Sequence, residues 1–421
     1  MLRIKSLEEK MAISLCFQRH PMLLKSRKLR EAYLKKLEYF ILKYAPEDIF
    51  LTAILEQYKR IFQRKMTYSK DTSLFSLRCA FVIDCLFLCA FNDEKKGRVV
   101  LKELKTFITE AYHESLDTLY ESLYHGKPLP FGVKVFSELI YCWRKNQEFL
   151  EKPVTKILVT ANMSAGKSTL INALVGKKVA RTSQEVCTGN NCFIYNKPYE
   201  DNQVALQTPK LNLDAKEEEL QKYDWQNSIS MATNFRCSYK QTPRMCLIDT
   251  PGVNSSMSRQ HRKIAREALI QEKYDILLCI LNANKLGTDE ELEHIKWVSD
   301  NIPKDKVIFV LNKLDDFRSE DNIQASIEGV KKDLNAIGYE NPIVCPISAY
   351  FAYLLKKKEY GDILTEDEED EYLLYSKKFG KQEYDLSPYY VAKSEEDMQI
   401  DPLYKSCGIY YLEKILYGGM V

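Results

Sequence analysis

The residues best suited to chemistry in this chain form a short segment, ANMSAGKST, at positions 161–169. It follows an apolar run and leads into the helix-forming stretch STLINALVG, so the backbone N–H groups of residues 164–168 can converge on phosphate oxygens at a helix N-terminus. Lys167 would contact the β- and γ-phosphates, and the Ser168 hydroxyl would bind Mg²⁺. The usual form of this loop has glycine where Ala161 stands, and a methyl group there requires a negative φ. The segment predicts a nucleotide site.

A second segment, NKLD, can select the base of that nucleotide. Asn312 can bond the purine edge, the stem of Lys313 can cover the ring, and Asp315 can accept hydrogen bonds from N1 and N2 of guanine. Adenine lacks donors at these places, so a buried carboxylate would be left unpaired and the discrimination can be large. Ser348 and Ala349, in SAY after an apolar run, bring a backbone N–H toward guanine O6. The two segments together predict a guanine nucleotide.

The segment DTPG lies between the phosphate loop and NKLD. Asp249 is placed to hold Mg²⁺ through water, and the N–H of Gly252 can sense the γ-phosphate. A threonine that completes the Mg²⁺ shell should precede DTPG, and Thr188, which comes before the strand-like CFIYN, is favoured over Thr182. Its hydroxyl would bind the metal and its carbonyl could orient the attacking water. Because no side chain is a convincing general base, hydrolysis would depend on positioning and charge neutralisation.

These loops need strands that end where the loops begin. Near-continuous apolar runs are typical of strands buried on both faces of a parallel sheet, and they occur here at 155–161, 244–250, 275–283, 306–313 and 341–348. Helical stretches alternate with them at 167–175, 258–272, 289–301, 319–337 and 408–417. The alternation predicts an α/β domain with a doubly wound, mostly parallel sheet, and with its ligand at the carboxyl ends of the strands.

The first 150 residues have a different pattern. Apolar residues recur there at helical spacing, as in LREAYLKKLEYFILKY, which predicts an all-α bundle of five to seven helices over 1–150, before a GTPase domain over 151–421. Residues 1–150 carry 26 Lys and Arg against 18 Asp and Glu, and the remainder carries 35 against 41. This basic excess would suit an anionic membrane or an acidic partner, although a solvated helix face is the simpler interpretation. The net charge of +2 argues against a bulk nucleic-acid binder, so nucleic acid is not an expected partner.

Cysteines and hydropathy bear on the compartment. The twelve cysteines show no zinc-ligand spacing, which favours reduced, buried thiols. The most apolar window, 79–91, is too short to span a bilayer and contains Asp84, so it predicts a core helix. The charged start MLRIKSLEEKMAIS predicts no signal peptide. We therefore expect a cytoplasmic protein, with peripheral membrane contact through the basic N-terminal helices as an open alternative.

Two charged segments are ambiguous. The acidic run at 366–371 is interpreted as a solvated loop, with a contact to the basic N-terminal bundle as the alternative. The stretch AKEEELQKYDWQNSI at 215–229 predicts a surface helix that could belong to a face between two GTPase domains.

The set GKSTLINALVG, Thr188, DTPGVNS, NKLD and SAY resembles the GTPase domain of the dynamin-like large GTPases, particularly the bacterial dynamin-family proteins. Ser164 matches the phosphate loop of that family, and the resemblance implies that it helps to position the water and a charge-compensating cation. Val253 after DTPG also fits, because the family lacks the catalytic glutamine of small GTPases. The resemblance covers about 153–417, with GIYYLEKIL as the closing helix. It implies that two GTPase domains meet during hydrolysis.

The sequence thus predicts a P-loop GTPase that binds GTP or GDP with Mg²⁺, releases phosphate, and forms a homodimer or hetero-oligomer through its GTPase domain. Two alternatives stay open: a non-hydrolysing, GTP-binding regulatory subunit, and a ribosome- or RNA-associated GTPase. The predicted catalytic residues are Ser164, Lys167 and Thr188, and the predicted metal ligands are Ser168, Thr188 and Asp249. The predicted nucleotide contacts are Asn162, Met163, Ser164, Ala165, Gly166, Lys167, Ser168, Thr169, Asp249, Gly252, Asn312, Lys313, Asp315, Ser348 and Ala349.

Overall fold

The computed structural model describes residues 7–63, 74–162, 164–180, 191–221, 229–238, 243–250, 259–390 and 400–418. Its helices are α1 (Leu7–Met11), α2 (Arg27–Tyr44), α3 (Ile49–Phe62), α4 (Leu74–Ala90), α5 (Glu94–Thr106), α6 (His113–His125), α7 (Ser137–Glu151), α8 (Lys167–Val175), α9 (Glu217–Gln221), α10 (Arg259–Gln271), α11 (Asp289–Asn301), α12 (Ile323–Ala336), α13 (Ala349–Glu359), α14 (Glu366–Phe379), α15 (Pro402–Ser406) and α16 (Ile409–Tyr417). Its strands are β1 (Thr155–Ala161), β2 (Cys192–Asn196), β3 (Ala205–Gln207), β4 (Leu211–Asn212), β5 (Ile229–Thr233), β6 (Met245–Asp249), β7 (Ile276–Asn282), β8 (Val307–Asn312) and β9 (Val344–Pro346).

The chain forms two compact units. One contains residues 1–153 together with 197–215, and the other contains 154–196 together with 216–421. In the first unit, α1 to α7 confirm the expected all-α character of the N-terminal region, and the short antiparallel pair β3–β4 belongs to the same unit.

The core of the helical unit is built around α4. Its apolar residues are buried on almost every side, as the expectation of a core helix for 79–91 required. The buried Asp84 carboxylate is bonded to His20 Nε2 at 2.8 Å and accepts a hydrogen bond from the Tyr33 hydroxyl at 2.6 Å. A buried carboxylate is costly unless it is hydrogen-bonded, and these two partners satisfy it.

The sheet of the second unit has the order β5-β2-β6-β1-β7-β8-β9. All neighbours in it are parallel except β2 and β6, which run antiparallel. Every residue of β7 and β8 is buried, because helices cover both faces of a doubly wound sheet. The predicted α/β class with a mostly parallel sheet is confirmed, and its central strand β1 leads directly into the phosphate loop.

One local expectation was wrong. The acidic run 366–371 is the first turn and a half of α14 rather than a loop. The Thr365 hydroxyl accepts a hydrogen bond from the N–H of Glu368, and the Glu368 carboxylate accepts one from the N–H of Thr365. Carboxylates at a helix N-terminus also interact favourably with the helix dipole. Within 215–229, where a surface helix was expected, the structure describes the short helix α9 and the first residue of β5, and residues 222–228 lie outside the described residues.

Cysteine and hydropathy expectations can be compared within the described residues. The cysteines there make no disulfide, and all except Cys237 are buried. None of the described helices combines the length and the apolar character needed to cross a bilayer.

Candidate active site

The phosphate loop connects β1 to α8 at the centre of the sheet. Ala161 is the last residue of β1, pairs with Ile280 of β7 and is 2% exposed. Its φ is not positive, so the methyl group in place of the usual glycine is compatible with the loop. Gly166, just before α8, has φ +90°, a left-handed conformation that favours glycine.

The first half of this loop is held by the last residue of β7 and by the first turn of α11. Ser164 has φ +62°, which is strained for a residue with a side chain, and its carbonyl accepts a hydrogen bond from Asn282 Nδ2 at 3.2 Å. The Asn282 side chain in turn accepts from the N–H of Asn284 at 3.0 Å. The side-chain amide of Asn162, predicted to contact the nucleotide, donates to the carbonyl of Glu290 at 3.1 Å. Asn282 is therefore part of the site, although nothing in the sequence marked it.

Asn312 joins the phosphate loop to the two segments predicted to bind the base, NKLD (312–315) and SAY (348–350), together the base-recognition loops. Its Nδ2 donates to the Ala165 carbonyl at 2.9 Å, and its Oδ1 accepts from the N–H of Ala349 at 3.0 Å. It is 2% exposed, so both bonds are shielded from water. A Cβ on Gly166 would lie 2.3 Å from Asn312 Nδ2, which shows how closely the two loops approach. One side chain thus connects three of the predicted segments.

Asp315 and Ser348 face each other across the base-recognition loops. The Ser348 hydroxyl donates to Asp315 Oδ1 at 2.7 Å, and Ser348 also caps α13. Burial raises the pKa of the Asp315 carboxyl, and the hydrogen bond from Ser348 partly offsets that rise. Lys313, just before, has φ +73°, so the chain turns sharply between Asn312 and Asp315. The arrangement presents a carboxylate that is oriented by a neutral donor.

Lys167 and Asp249 lie on adjacent elements and form an ion pair. β6 runs parallel to β1 with Asp249 opposite Val159, which brings its carboxylate to the start of α8. Lys167 Nζ donates to Asp249 Oδ1, and Asp249 is buried. The neighbouring Thr250 hydroxyl donates to the Val159 carbonyl at 2.8 Å and fixes the end of the strand. A cation and a carboxylate at the phosphate loop could take a phosphate and a metal ion respectively.

The donors at this position suit Mg²⁺. Ser168 lies in the first turn of α8, and its hydroxyl and the Asp249 carboxylate are hard oxygen ligands of the kind that Mg²⁺ prefers, together with substrate phosphates. The described residues contain no cluster of three or more His, Cys, Asp or Glu that could hold a metal on its own.

Some predicted residues cannot be compared with the structure. Met163, Thr188, Gly252, the alternative Thr182 and Val253 lie outside the described residues. Their roles stay predictions. Thr169 lies in the first turn of α8, beside Ser168.

Two further side chains near the site were not predicted. Glu291 of α11 is 5% exposed and accepts from the N–H of Asn282 at 3.2 Å; burial raises its pKa to about 7. Lys378 of α14 donates to the carbonyl of Asp315 at 2.6 Å. Lys378 acts on a loop that is 63 positions away in the sequence, so no local pattern could identify it.

Comparison with known proteins gives one family match, over part of the chain. Residues 157–314 match the family described as the dynamin family. No curated protein is similar enough to this chain to be matched to it.

Solved structures that match part of this chain include two of Era and one of Toc33. Era from Aquifex aeolicus, bound to GDP·AlF4⁻, is 19% identical, with 49% of this chain and 55% of that chain covered and a TM-score of 0.29. Era in a complex with MgGDPNP and a fragment of 16S ribosomal RNA is 20% identical, with 50% and 56% covered and a TM-score of 0.30. Toc33 from Arabidopsis thaliana, with Mg²⁺ and GMPPNP, is 15% identical, with 49% and 78% covered and a TM-score of 0.31. This chain thus spans only about half the length of the Era chains, and the family assignment rests on residues 157–314.

Proposed function

We propose that this chain, which carries a GTPase domain of the dynamin family, binds GTP with Mg²⁺ and hydrolyses it to GDP and phosphate. The observation that carries the proposal is the bridge made by Asn312, whose amide bonds both the phosphate loop at Ala165 and the base-recognition loop at Ala349. A bridge of this kind gives one ligand a triphosphate contact and a base contact at fixed separation.

Guanine is the proposed base. The carboxylate of Asp315 would accept hydrogen bonds from N1 and N2, while the Ser348 hydroxyl holds it in place at 2.7 Å. The N–H of Ala349 is already bonded to Asn312, so it would contact guanine O6 only by sharing that donor. Asn312 retains one of its two amide hydrogens for the purine edge.

The phosphate end would be neutralised by the protein's own groups. Lys167 would leave its ion pair with Asp249 for the β- and γ-phosphates, and Asp249 and Ser168 would hold Mg²⁺. That ion, when bound, stabilises the charge that develops on the transferred phosphoryl group. Ser164 and Thr188 are proposed to position the attacking water and its counter-charge. Positioning and electrostatics would supply the rate, since no general base is proposed.

Release of phosphate from GTP tests the proposal. Wild type should hydrolyse GTP in the presence of Mg²⁺, and Lys167→Ala should reduce the rate by about 100-fold or more because a preorganised cation at the phosphates is lost. Lys285→Ala, at an exposed lysine beyond β7, is the matched control and should keep the wild-type rate. A wild type that binds GTP yet releases no more phosphate than Lys167→Ala would instead indicate a non-hydrolysing regulatory subunit.

We further propose that two GTPase domains pair during turnover, as the family assignment implies. The hydrolysis rate per chain should then rise with protein concentration. A rate per chain that stays flat at concentrations where native mass shows a dimer would refute this pairing. Salt-sensitive binding of RNA would point to the RNA-associated alternative, which the same protein can test directly.

Membrane binding is not part of the proposed function. Three of the basic side chains that create the N-terminal excess are in ion pairs: Arg27 with Glu31, Lys43 with Glu103, and Lys59 with both Glu38 and Glu56. Paired charges of this kind are what a solvated helix face contains. Liposome co-sedimentation with and without GTP would detect a membrane contact if one exists.

A further inference from the structure

Helix α14 lies beyond the part of the chain that matches the dynamin family, which ends at residue 314. Its N-terminal half is hydrogen-bonded to α13, the helix that begins in the SAY segment. Lys357 Nζ bonds the Glu368 carboxylate at 2.7 Å, and the Tyr350 hydroxyl donates to Glu371. The helix therefore starts from a fixed base.

The C-terminal end of α14 reaches the NKLD loop through Lys378. Its ammonium donates to the backbone carbonyl of Asp315 at 2.6 Å and to that of Phe317. It also lies 4.6 Å from the centre of the Tyr384 ring, on the segment that follows α14. Burial lowers the pKa of Lys378, whereas the nearby charges of Asp315 and Asp316 raise it. A partly buried cation that donates to two carbonyls of one turn fixes the backbone of that turn.

The turn that Lys378 holds is the one that carries the guanine-recognition carboxylate. Lys313 has φ +73°, and the N–H of Asp316 bonds the Lys313 carbonyl at 3.2 Å, which closes the turn. The Asp315 side chain is oriented from the other side by Ser348. Ser348 therefore sets the direction of the carboxylate, while Lys378 sets the position of the backbone from which it projects.

We propose that Lys378 is a positioning residue for base specificity, and that α14 acts as a strap that holds Asp315 against N1 and N2 of guanine. The inference rests on the proposed function, because it deepens the role of the same site. Lys378 does not touch the nucleotide in this scheme; it acts through Asp315. Its loss should consequently reduce discrimination between bases more than it reduces binding of the phosphates.

The test compares GDP with IDP, which lacks only the 2-amino group of guanine. Wild type should prefer GDP by about tenfold or more, since a hydrogen bond to a charged acceptor is lost with IDP. Lys378→Met keeps the stem over Tyr384 but removes the ammonium, and it should reduce the GDP/IDP ratio of dissociation constants at least about threefold toward unity. Lys378→Arg can still donate to both carbonyls and should restore the ratio. Lys377→Met, at the exposed neighbouring lysine, is the matched control and should keep the wild-type ratio.

The outcomes separate the inference from the proposed function. If Lys378→Met weakens GDP and IDP by the same factor, or changes neither, the positioning role is refuted while guanine binding stands. If wild type does not prefer GDP over IDP, the proposed base recognition fails and the inference fails with it. Should Lys378→Met not fold, Lys378→Ala replaces it, because alanine has no side-chain donor for the two carbonyls, and a wild-type ratio in Lys378→Ala would equally refute the positioning role.

Discussion

The bridge at Asn312 can be tested by changing one atom of its side chain. Asn312→Asp keeps the shape and the acceptor that bonds the N–H of Ala349, but it replaces the donor that faces the Ala165 carbonyl at 2.9 Å with an oxygen. Asn312 is 2% exposed, so water cannot replace the lost donor. At neutral pH the variant places a buried carboxylate oxygen against a carbonyl oxygen.

The size of the effect follows from these contacts. An unpaired buried carbonyl costs about 1–3 kcal/mol, and desolvation of the new carboxylate adds to it, so we expect a loss of about 3 kcal/mol in the free energy of unfolding at pH 7.5. The part of this penalty that falls on the charged form raises the pKa of the new carboxyl above the ordinary value of an aspartate, about 4. Above that ordinary value the folded variant binds more protons than the unfolded chain, so its stability falls as the pH rises until the folded carboxyl is ionised. The protonated carboxyl can donate to the Ala165 carbonyl again.

Urea unfolding at pH 7.5 and pH 5.0 measures this difference. The deficit of Asn312→Asp relative to wild type should shrink by about 1–1.5 kcal/mol at pH 5.0. Asn312→Ala loses both bonds and should show a deficit that does not depend on pH. The matched control is Asn301→Asp: Asn301 also donates to a carbonyl, that of Trp297 at 2.8 Å, but it is exposed, so its deficit should be small at both values. A deficit for Asn312→Asp as small as that of Asn301→Asp, or one that is equal at the two pH values, would refute the bridge.

Two other buried charged residues also give stability predictions: replacing Glu291 should stabilise the protein, whereas replacing Lys356 should destabilise it, as is expected of Asn312→Asp. Burial raises the pKa of Glu291 to about 7 from an ordinary 4.5, so the folded state loses stability as the pH rises from 4.5 to about 7. Glu291→Gln should therefore increase the free energy of unfolding by about 3 kcal/mol at pH 8 and leave it unchanged at pH 4. The exposed Glu290→Gln is the control, and equal effects of the two substitutions would contradict the reasoning. Lys356 and Glu413 form a fully buried ion pair, so Lys356→Met should destabilise the protein by about 3–5 kcal/mol in the same urea assay. Lys358→Met, which removes an exposed ion pair, is the control and should cost no more than about 1 kcal/mol. Similar losses for the two variants would show that burial of the Lys356–Glu413 pair does not make it more important for stability.

The strands and the phosphate loop were predictable because their signals are local. The run TKILVTA is buried along most of its length, and the structure places β1 at the same residues, 155–161. Helix α8 also matches its predicted bounds, 167–175, because glycines with left-handed φ stand on both sides, Gly166 and Gly176. In both cases the residues that determine the element are neighbours in the chain.

The error at 366–371 came from a signal that was present but not used. Six acidic residues in a row suit a solvated loop, yet Thr365 and Glu368 have the spacing of a capping box, which predicts a helix start. The run also has basic partners, since Lys357 and Lys358 at the end of α13 bond Glu368 and Glu369. The first clue lay in the sequence, whereas the second required the packing of α13 on α14.

The supports of the site could not be found in this way. Asn282 bonds Ser164 from 118 positions away, and Lys378 bonds Asp315 from 63 positions away. An asparagine at the end of a strand and a lysine near the end of a helix are common, and each acquires a role at the site only when the fold brings it to a loop. Sequence patterns identify groups that contact a ligand, because the ligand fixes their chemistry. The residues that hold those groups can be chosen from many positions.

Asn312 shows how the structure changes the interpretation of a predicted site residue. The sequence suggested that its amide reads the purine edge, but its Oδ1 is bonded to the N–H of Ala349 and one of its N–H groups to the carbonyl of Ala165. Only one amide hydrogen is left for a base, so Asn312 can contribute little to the choice of guanine over adenine. In the proposed function, discrimination would then rest on Asp315, and the position of its backbone, which Lys378 contacts, would affect specificity. Asn312 instead couples the two loops, so a change that displaces the phosphate loop at Ala165 should also weaken the binding of the base.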